Sequence, residues 1–191
     1  MTAPRIVALS GSPSAQSRTR VLLEELVQAI VQRAGGRVTL IDVGELAGDL
    51  GLARARSDAS PALEQRLREI EAADLILAAS PVYKASYSGL FKHFIDLIDH
   101  RALAGVPVGL IATGGGDRHA LVVEHQFRPL FGFFGARTLP TGLYVAESQH
   151  RDGHIADPLV RARADLLIGE AVEALARSPV PARAAQLFPN A

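Results

Sequence analysis

Residues 5–31 read RIVALSGSPSAQSRTRVLLEELVQAIV, and this stretch decides the fold class. Arg5 to Leu9 is a short apolar run, with Ile6 and Val7, that stops at Ser10-Gly11-Ser12-Pro13, a cluster of strong turn formers. From Ser17 the apolar residues become Val21, Leu22, Leu26, Ile30 and Val31, which is the 3.6-residue period of an amphipathic helix, and Gly35-Gly36 closes it. The opening unit is therefore strand, loop, helix.

The same unit recurs down the chain. Val38 to Val43 reads as a second strand. Ser60-Pro61 supplies a cap and a first-turn proline to a helix with Leu63, Leu67 and Ile70 on one face. Leu75 to Ala79 is a third strand ending at Ser80-Pro81, followed by a helix face of Leu90, Phe94, Leu97 and Ile98. Val106 to Ala112 is a fourth strand ending in Thr113-Gly114-Gly115-Gly116, with a helix expected from about Asp117. A fifth strand falls within Arg137 to Val145, before a last helix capped by Asp157-Pro158 and carrying Leu159, Leu166, Leu167 and Leu175. Gly44 to Ser60 has the weakest pattern and reads as a loop with a short helical turn. Parallel strands need helical crossovers and must be buried on both faces, so this alternation predicts an α/β fold. The expected form is a flavodoxin-like three-layer sandwich with a five-stranded parallel sheet in the order 2-1-3-4-5.

The 191 residues, 48% of them hydrophobic, suit one domain, placed here at residues 1–177, with a proline-rich tail at 178–191. Twenty basic residues balance twenty acidic ones, so no broad basic surface is offered to nucleic acid or anionic lipid. The absence of cysteine removes thiolate chemistry, disulfides and metal–thiolate centres, so any redox chemistry needs a borrowed cofactor. Met1 to Arg5 carries no leader features and no apolar run approaches the ~20 residues of a membrane span, which predicts a cytoplasmic protein.

Ligands of open parallel sheets sit outside the carboxyl ends of the strands, near the reversal of strand order. Three loops qualify. The first, Ser10 to Thr19, offers the hydroxyls of Ser10, Ser12 and Ser17, the Arg18 guanidinium, Thr19, and free amides at a helix N-terminus where an anion is favoured. It carries neither a G-x-G-x-x-G nor a Walker fingerprint, so a single terminal phosphate fits better than a dinucleotide or ATP. The plainer reading, a serine-rich turn capping the helix, stands beside it. The second loop, Pro81, Val82, Tyr83, Lys84, Ala85, Ser86, then Tyr87 and Ser88, sets aromatic bodies with polar tips where a planar ring could rest, or alternatively packs a helix or a subunit contact. The third, Thr113 with Gly114, Gly115 and Gly116, suits close backbone approach to a ligand, or serves as a flexible connection.

Ser10-Gly11-Ser12-Pro13 with Ser17-Arg18-Thr19, then Ser80-Pro81-Val82-Tyr83-Lys84-Ala85-Ser86-Tyr87-Ser88-Gly89, then Thr113-Gly114-Gly115-Gly116, resemble the NAD(P)H-dependent FMN reductases of bacterial sulfonate-sulfur assimilation. The resemblance spans nearly the whole chain. It implies that the first loop holds the FMN phosphate while Pro81 to Ser86 and Thr113 to Gly116 embrace the isoalloxazine. It further implies a nicotinamide nucleotide as donor, leaning towards NADH over NADPH, a homodimer or homotetramer, and delivery of FMNH2 to a sulfonate monooxygenase. An FMN-retaining quinone, azo or chromate reductase is the alternative enzyme, and a flavodoxin-type electron carrier, usually strongly acidic, is the alternative outside catalysis.

Residues 119–129 resemble most the methanesulfonate-associated branch, and His125 stands where the alkanesulfonate reductases carry a tyrosine. Pro129 removes the helical hydrogen bond to the His125 carbonyl, so a kink or bulge is expected there, shaping a subunit interface that borders the flavin. Phe127, Phe131, Phe133 and Phe134 crowd this segment, which predicts self-association. Hydride transfer between two stacked rings demands no acid–base pair, so no catalytic residue is expected. His150 and His154 lie in a glycine-containing turn, and no metal site is expected from them.

Overall fold

The computed structural model describes residues 3–151 and 153–177. The strands are β1 (Arg5–Ser10), β2 (Arg37–Asp42), β3 (Leu75–Pro81), β4 (Pro107–Gly114), β5 (Arg137–Thr138), β6 (Leu143–Ala146), β7 (His150–Arg151) and β8 (His154–Ile155). The α-helices are α1 (Arg18–Ala34), α2 (Ala47–Leu52), α3 (Pro61–Glu71), α4 (Gly89–Asp96), α5 (Arg128–Phe133) and α6 (Pro158–Ala176). The main sheet is parallel in the order β2-β1-β3-β4, with β5 and β6 both pairing the far edge of β4, and β7 and β8 form a separate antiparallel hairpin. The flavodoxin-like order 2-1-3-4-5 is thus realised with its fifth strand in two pieces.

The period-2 alternation along each strand divides the core into two layers. Ile6, Ala8, Leu75, Leu77 and Ile111 meet Leu22, Leu23, Leu26 and Ile30 of α1 and Ala164, Leu167 and Ile168 of α6. Val7, Leu9, Ile76, Ala78, Val108 and Leu110 face Leu63, Leu67 and Ile70 of α3 and the phenylalanines of α4 and α5. Each fully buried Val, Leu or Ile side chain among them contributes about 1.5–3 kcal/mol. The helices start where caps are available: Ser17 Oγ accepts from the Arg20 amide, Ser60 Oγ from Leu63, Ser88 Oγ from Phe91, and the Asp157 carboxylate from Leu159 and Val160.

Between β5 and β6 the register moves from Val108↔Thr138 to Ile111↔Leu143, so three steps on β4 oppose five on the edge strand and two residues are extra. Pro140, without an N–H, sits in this break, and the freed groups find partners elsewhere. Arg128 Nη1 donates to Thr138 Oγ1 (2.9 Å) and to the Leu139 carbonyl (3.0 Å), Thr141 donates through its amide and hydroxyl to Glu170, and Arg163 donates to the Gly142 carbonyl.

Three expectations change. Residues 44–60 are more ordered than a loop: α2 forms because Leu50 and Ala53 are buried, and a 3₁₀ turn at Arg56–Asp58 is fixed by Arg56 pairing with Glu64 and Glu71. No regular helix starts at Asp117. A 3₁₀ turn (Asp117–His119) is followed by a π turn at Val123–Phe127, in which the Arg128 amide reaches back five residues to the Val123 carbonyl, directly before Pro129. The phenylalanine argument for self-association also fails, because Phe127, Phe131 and Phe134 are buried in the chain's own core and only Phe133, 71% exposed, faces outward. The tail at 178–191 lies outside the described residues. Among those described, no helix is long and apolar enough to cross a membrane.

Candidate active site

Strand order reverses between β1 and β3, which run parallel, and the loops following these strands flank the point where α/β sheets bind ligands. A cleft of about 260 Å³ opens there, lined by parts of the first loop, by Pro81 to Tyr83, by Thr113 to Gly115, and by Val145 to Glu147 with His150. Two grooves of about 630 Å³ lie elsewhere, one beside Arg5, Arg37 and Glu64 and one beside His100 and Phe133. Neither gathers the loop amides that the smaller cleft does, so chemistry rather than size selects the site.

In the first loop the amides of Ala15 through Thr19 donate to no other group among the described residues; Gln16 to Thr19 line the cleft at the start of the 17-residue α1, and Ala15 lies outside its lining. Unpaired N–H groups at the positive end of a helix dipole attract a phosphate. Ser12 Oγ accepts from the Ser14 amide (3.2 Å) and Ser17 Oγ is spent as the helix cap, yet both residues line the cleft. Arg18 lies on the cleft wall, ion-paired with Glu147. Ser10 ends β1, is fully buried and lies outside the cleft lining, and its Oγ has no partner among the described residues.

The second loop is braced from beneath. Ser80 Oγ accepts from the Ser88 amide (3.0 Å), and Ser88 Oγ donates to the Gly11 carbonyl (2.5 Å) while capping α4. Gly11 also donates to the Ala79 carbonyl (2.6 Å), and a Cβ at Gly11 would lie 2.5 Å from Phe91 and 2.8 Å from Ser80, so only glycine fits. At the tip, Tyr83 and Ser86 exchange amide–carbonyl bonds of 2.8 and 3.1 Å around Lys84 (φ 49°) and Ala85 (φ 66°). This is a primed two-residue turn built without glycine or asparagine, at a cost of roughly 1–2 kcal/mol per residue. Tyr83 is half-exposed on the cleft, whereas Lys84, Ala85 and Ser86 lie beyond its lining. Ser86 Oγ instead donates to Gln126 Oε1 (3.1 Å), and Tyr87 packs edge-on against Phe127, which ties this loop to the π turn.

The third loop locks to both others. Thr113 Oγ1 lies 2.7 Å from Thr19 Oγ1, and the Thr113 carbonyl accepts from the Val82 amide (2.7 Å). Tyr144 donates its hydroxyl to the Gly116 carbonyl (2.6 Å) and packs where a Gly114 side chain would stand. Burial raises the Tyr144 phenol above its ordinary range. Gly115 faces open space on the cleft, while Gly116 lies outside the lining.

Of the residues expected from the sequence, Ser12, Ser17, Arg18, Thr19, Pro81, Val82, Tyr83, Thr113, Gly114 and Gly115 meet in one cleft. His125 does not; it is exposed on the π turn. The sequence reading missed the wall supplied by Val145, Ala146, Glu147 and His150. The rule that ligands lie at the carboxyl ends of strands, extended to the fifth strand, points to them. His150 Nε2 is buried without a partner, and burial lowers its imidazole pKa, favouring the neutral ring. His93 donates from Nε2 to the Ala53 carbonyl (2.7 Å). No group of three His, Asp or Glu side chains placed to hold a metal occurs among the described residues.

Residues 4–151 match the NADPH-dependent FMN reductase family. The chain is 45% identical over 181 residues to the NADH-dependent FMN reductase SfnF of Pseudomonas putida, covering 94% of this chain and 97% of the relative. It is 47% identical over 164 residues to an FMN reductase (NADPH) of Pseudomonas aeruginosa, covering 85% and 88%. Among solved structures, the apo form of the NADH:FMN oxidoreductase EMOB superposes with a TM-score of 0.85 at 28% identity, covering 98% of each chain. An oxidoreductase of Corynebacterium diphtheriae gives 0.83 at 30% identity, covering 93% of this chain and 100% of that one.

Proposed function

This chain belongs to the NADPH-dependent FMN reductase family, and from that premise we propose that its cleft seats FMN with the phosphate on residues 12–19 and the ring between Pro81–Tyr83 and Thr113–Gly115. The protein is a flavoenzyme that oxidises NAD(P)H with FMN. The observation that carries the seating is the set of unpartnered amides from Gln16 to Thr19 on the cleft, beside Ser12 and the Arg18 side chain, a donor set that fits a phosphate monoester. When bound, FMN supplies the hydride acceptor.

The chain's own part is to hold and to exclude. The first loop would anchor by backbone, Tyr83 and Pro81 would offer a wall to a planar ring, and amides of the Thr113–Gly115 segment lining the cleft would meet its polar edge. Stacking two rings in order lowers the barrier through proximity, without a proton-transfer residue. Arg18 is the single formally cationic side chain on the cleft among the described residues, which suits a flavin that leaves. On the sequence resemblance we assign the reduced flavin to a cytoplasmic monooxygenase acting on sulfonates, with NADH as donor.

A homodimer or homotetramer completes this reading. Exposed His125 on the π turn, with exposed Leu121 (64%) before it and Phe133 after it, marks where a second copy would bring His125 towards the flavin. Nicotinamide oxidation by the purified protein, followed while FMN is titrated with NADH or NADPH, tests the function. Saturable dependence on added FMN is expected. Turnover at full rate from retained flavin, with no response to added FMN, would instead fit the quinone, azo or chromate reductase reading.

A further inference from the structure

The charges on the cleft cancel. Among the residues lining it, Arg18 is the only arginine or lysine and Glu147 the only acid, and the two are ion-paired with each other across the rim. The neighbouring Arg20 is not a reserve anchor: it is held by Glu24 (2.9 Å), Asp42 (3.2 Å) and Glu45 (2.6 Å). Glu147 is placed by the fold rather than by chance contact. It follows β6 directly, Ala146 stands in register with Gly114, and the Ala146 amide donates to Gln149 Oε1 (2.9 Å), setting the turn that carries Glu147.

We propose that Glu147 is an internal rival of the flavin phosphate for Arg18, an affinity-setting residue that holds FMN binding weak enough for reduced flavin to leave. The proposal rests on the reading of residues 12–19 as the phosphate loop. A phosphate monoester carries a charge of about −1.5 to −2 at neutral pH. On entering, it must take Arg18 from Glu147 or share it, and in either case a carboxylate stays at the rim facing the new anion. The penalty falls on the phosphate alone, so it acts equally on oxidised and reduced FMN and not at all on riboflavin, which lacks the phosphate. Because the anchor pair is neutral, binding should also depend little on salt, whereas an unopposed Arg18 would make it salt-sensitive.

Both side chains are about 60% exposed, which limits the effect to that of a surface ion pair. Glu147→Gln, an isosteric change at an exposed position, is expected to tighten FMN binding about threefold to fivefold at low salt, with the gain fading at high salt. Riboflavin affinity should not change. Binding is read from quenching of flavin fluorescence, independently of turnover. Arg18→Gln is measured in parallel and should weaken FMN relative to riboflavin. If Arg18→Gln weakens FMN selectively but Glu147→Gln leaves it unchanged or tightens riboflavin equally, the rivalry is overturned and the phosphate loop stands. If Arg18→Gln affects neither flavin selectively, the phosphate-loop reading falls and the proposal with it.

Discussion

The first and second loops border the same cleft and handle their polar groups in opposite ways. Residues 15–19 leave a row of amides without partners among the described residues, while Ser12 and Ser17 line the cleft, and this is the loop proposed above to take an anion. Residues 80–88 spend their hydroxyls inward: Ser80 and Ser88 hold the chain to Gly11 and α4, and Ser86 reaches Gln126. On the proposed seating, unsatisfied groups on one side would carry binding, and satisfied ones on the other hold the shape. Substitutions in the first loop should therefore move ligand affinity, and substitutions beneath the second should move stability.

Gly11→Ala tests the joint between the two and should have the largest effect. Its Cβ would meet Phe91 at 2.5 Å, both Phe91 and Ser80 are fully buried, and a loss of about 1–3 kcal/mol or more is expected in denaturant unfolding. Ser88→Ala removes one buried hydroxyl that both donates to Gly11 and caps α4, for about 1–3 kcal/mol. A Ser88→Ala protein as stable as the parent, but defective in FMN binding, would break the contrast. Ala85→Gly goes the other way: it relieves a left-handed alanine and should stabilise by up to about 1 kcal/mol, read as a raised melting temperature.

The smallest effect is expected far from both loops. Hydrogen bonds from Arg56 and then Arg68 hold the Glu64 carboxyl down to about 2, from an ordinary value of 4.5. A folded-state pKa below the unfolded one contributes stability above the unfolded value that is lost as pH falls through the folded one. Glu64→Gln should therefore flatten the acid side of the stability profile between about pH 4.5 and 2 while leaving FMN affinity unchanged.

The alternation of strands and helices was legible because burial on both sheet faces writes apolar runs, and because Ser60-Pro61 and Asp157-Pro158 mark caps. Three loops followed from strand ends and small residues. Other features left weaker marks. Pro129 announces the disturbed helix, but nothing local says that it takes the form of a π turn. Pro140 is the only local sign of the two-residue break between β5 and β6, whose groups are satisfied by arginines and a glutamate distant in sequence. Lys84-Ala85 carries no glycine or asparagine, so its primed turn cannot be read from residue preference. The phenylalanines could not be assigned inside or outside while the helix phase at the π turn was unknown. Glu147 is not singled out in the sequence, and His150 reads only as a metal candidate, because the end of the fifth strand is diffuse there.

The seating of FMN is decided by a crystal structure of the protein with FMN bound. The phosphate is expected on the amides of residues 16–19 within reach of Arg18, with the ring between Pro81–Tyr83 and Thr113–Gly115. A phosphate seated elsewhere, or a ring lying outside these walls, would refute that seating.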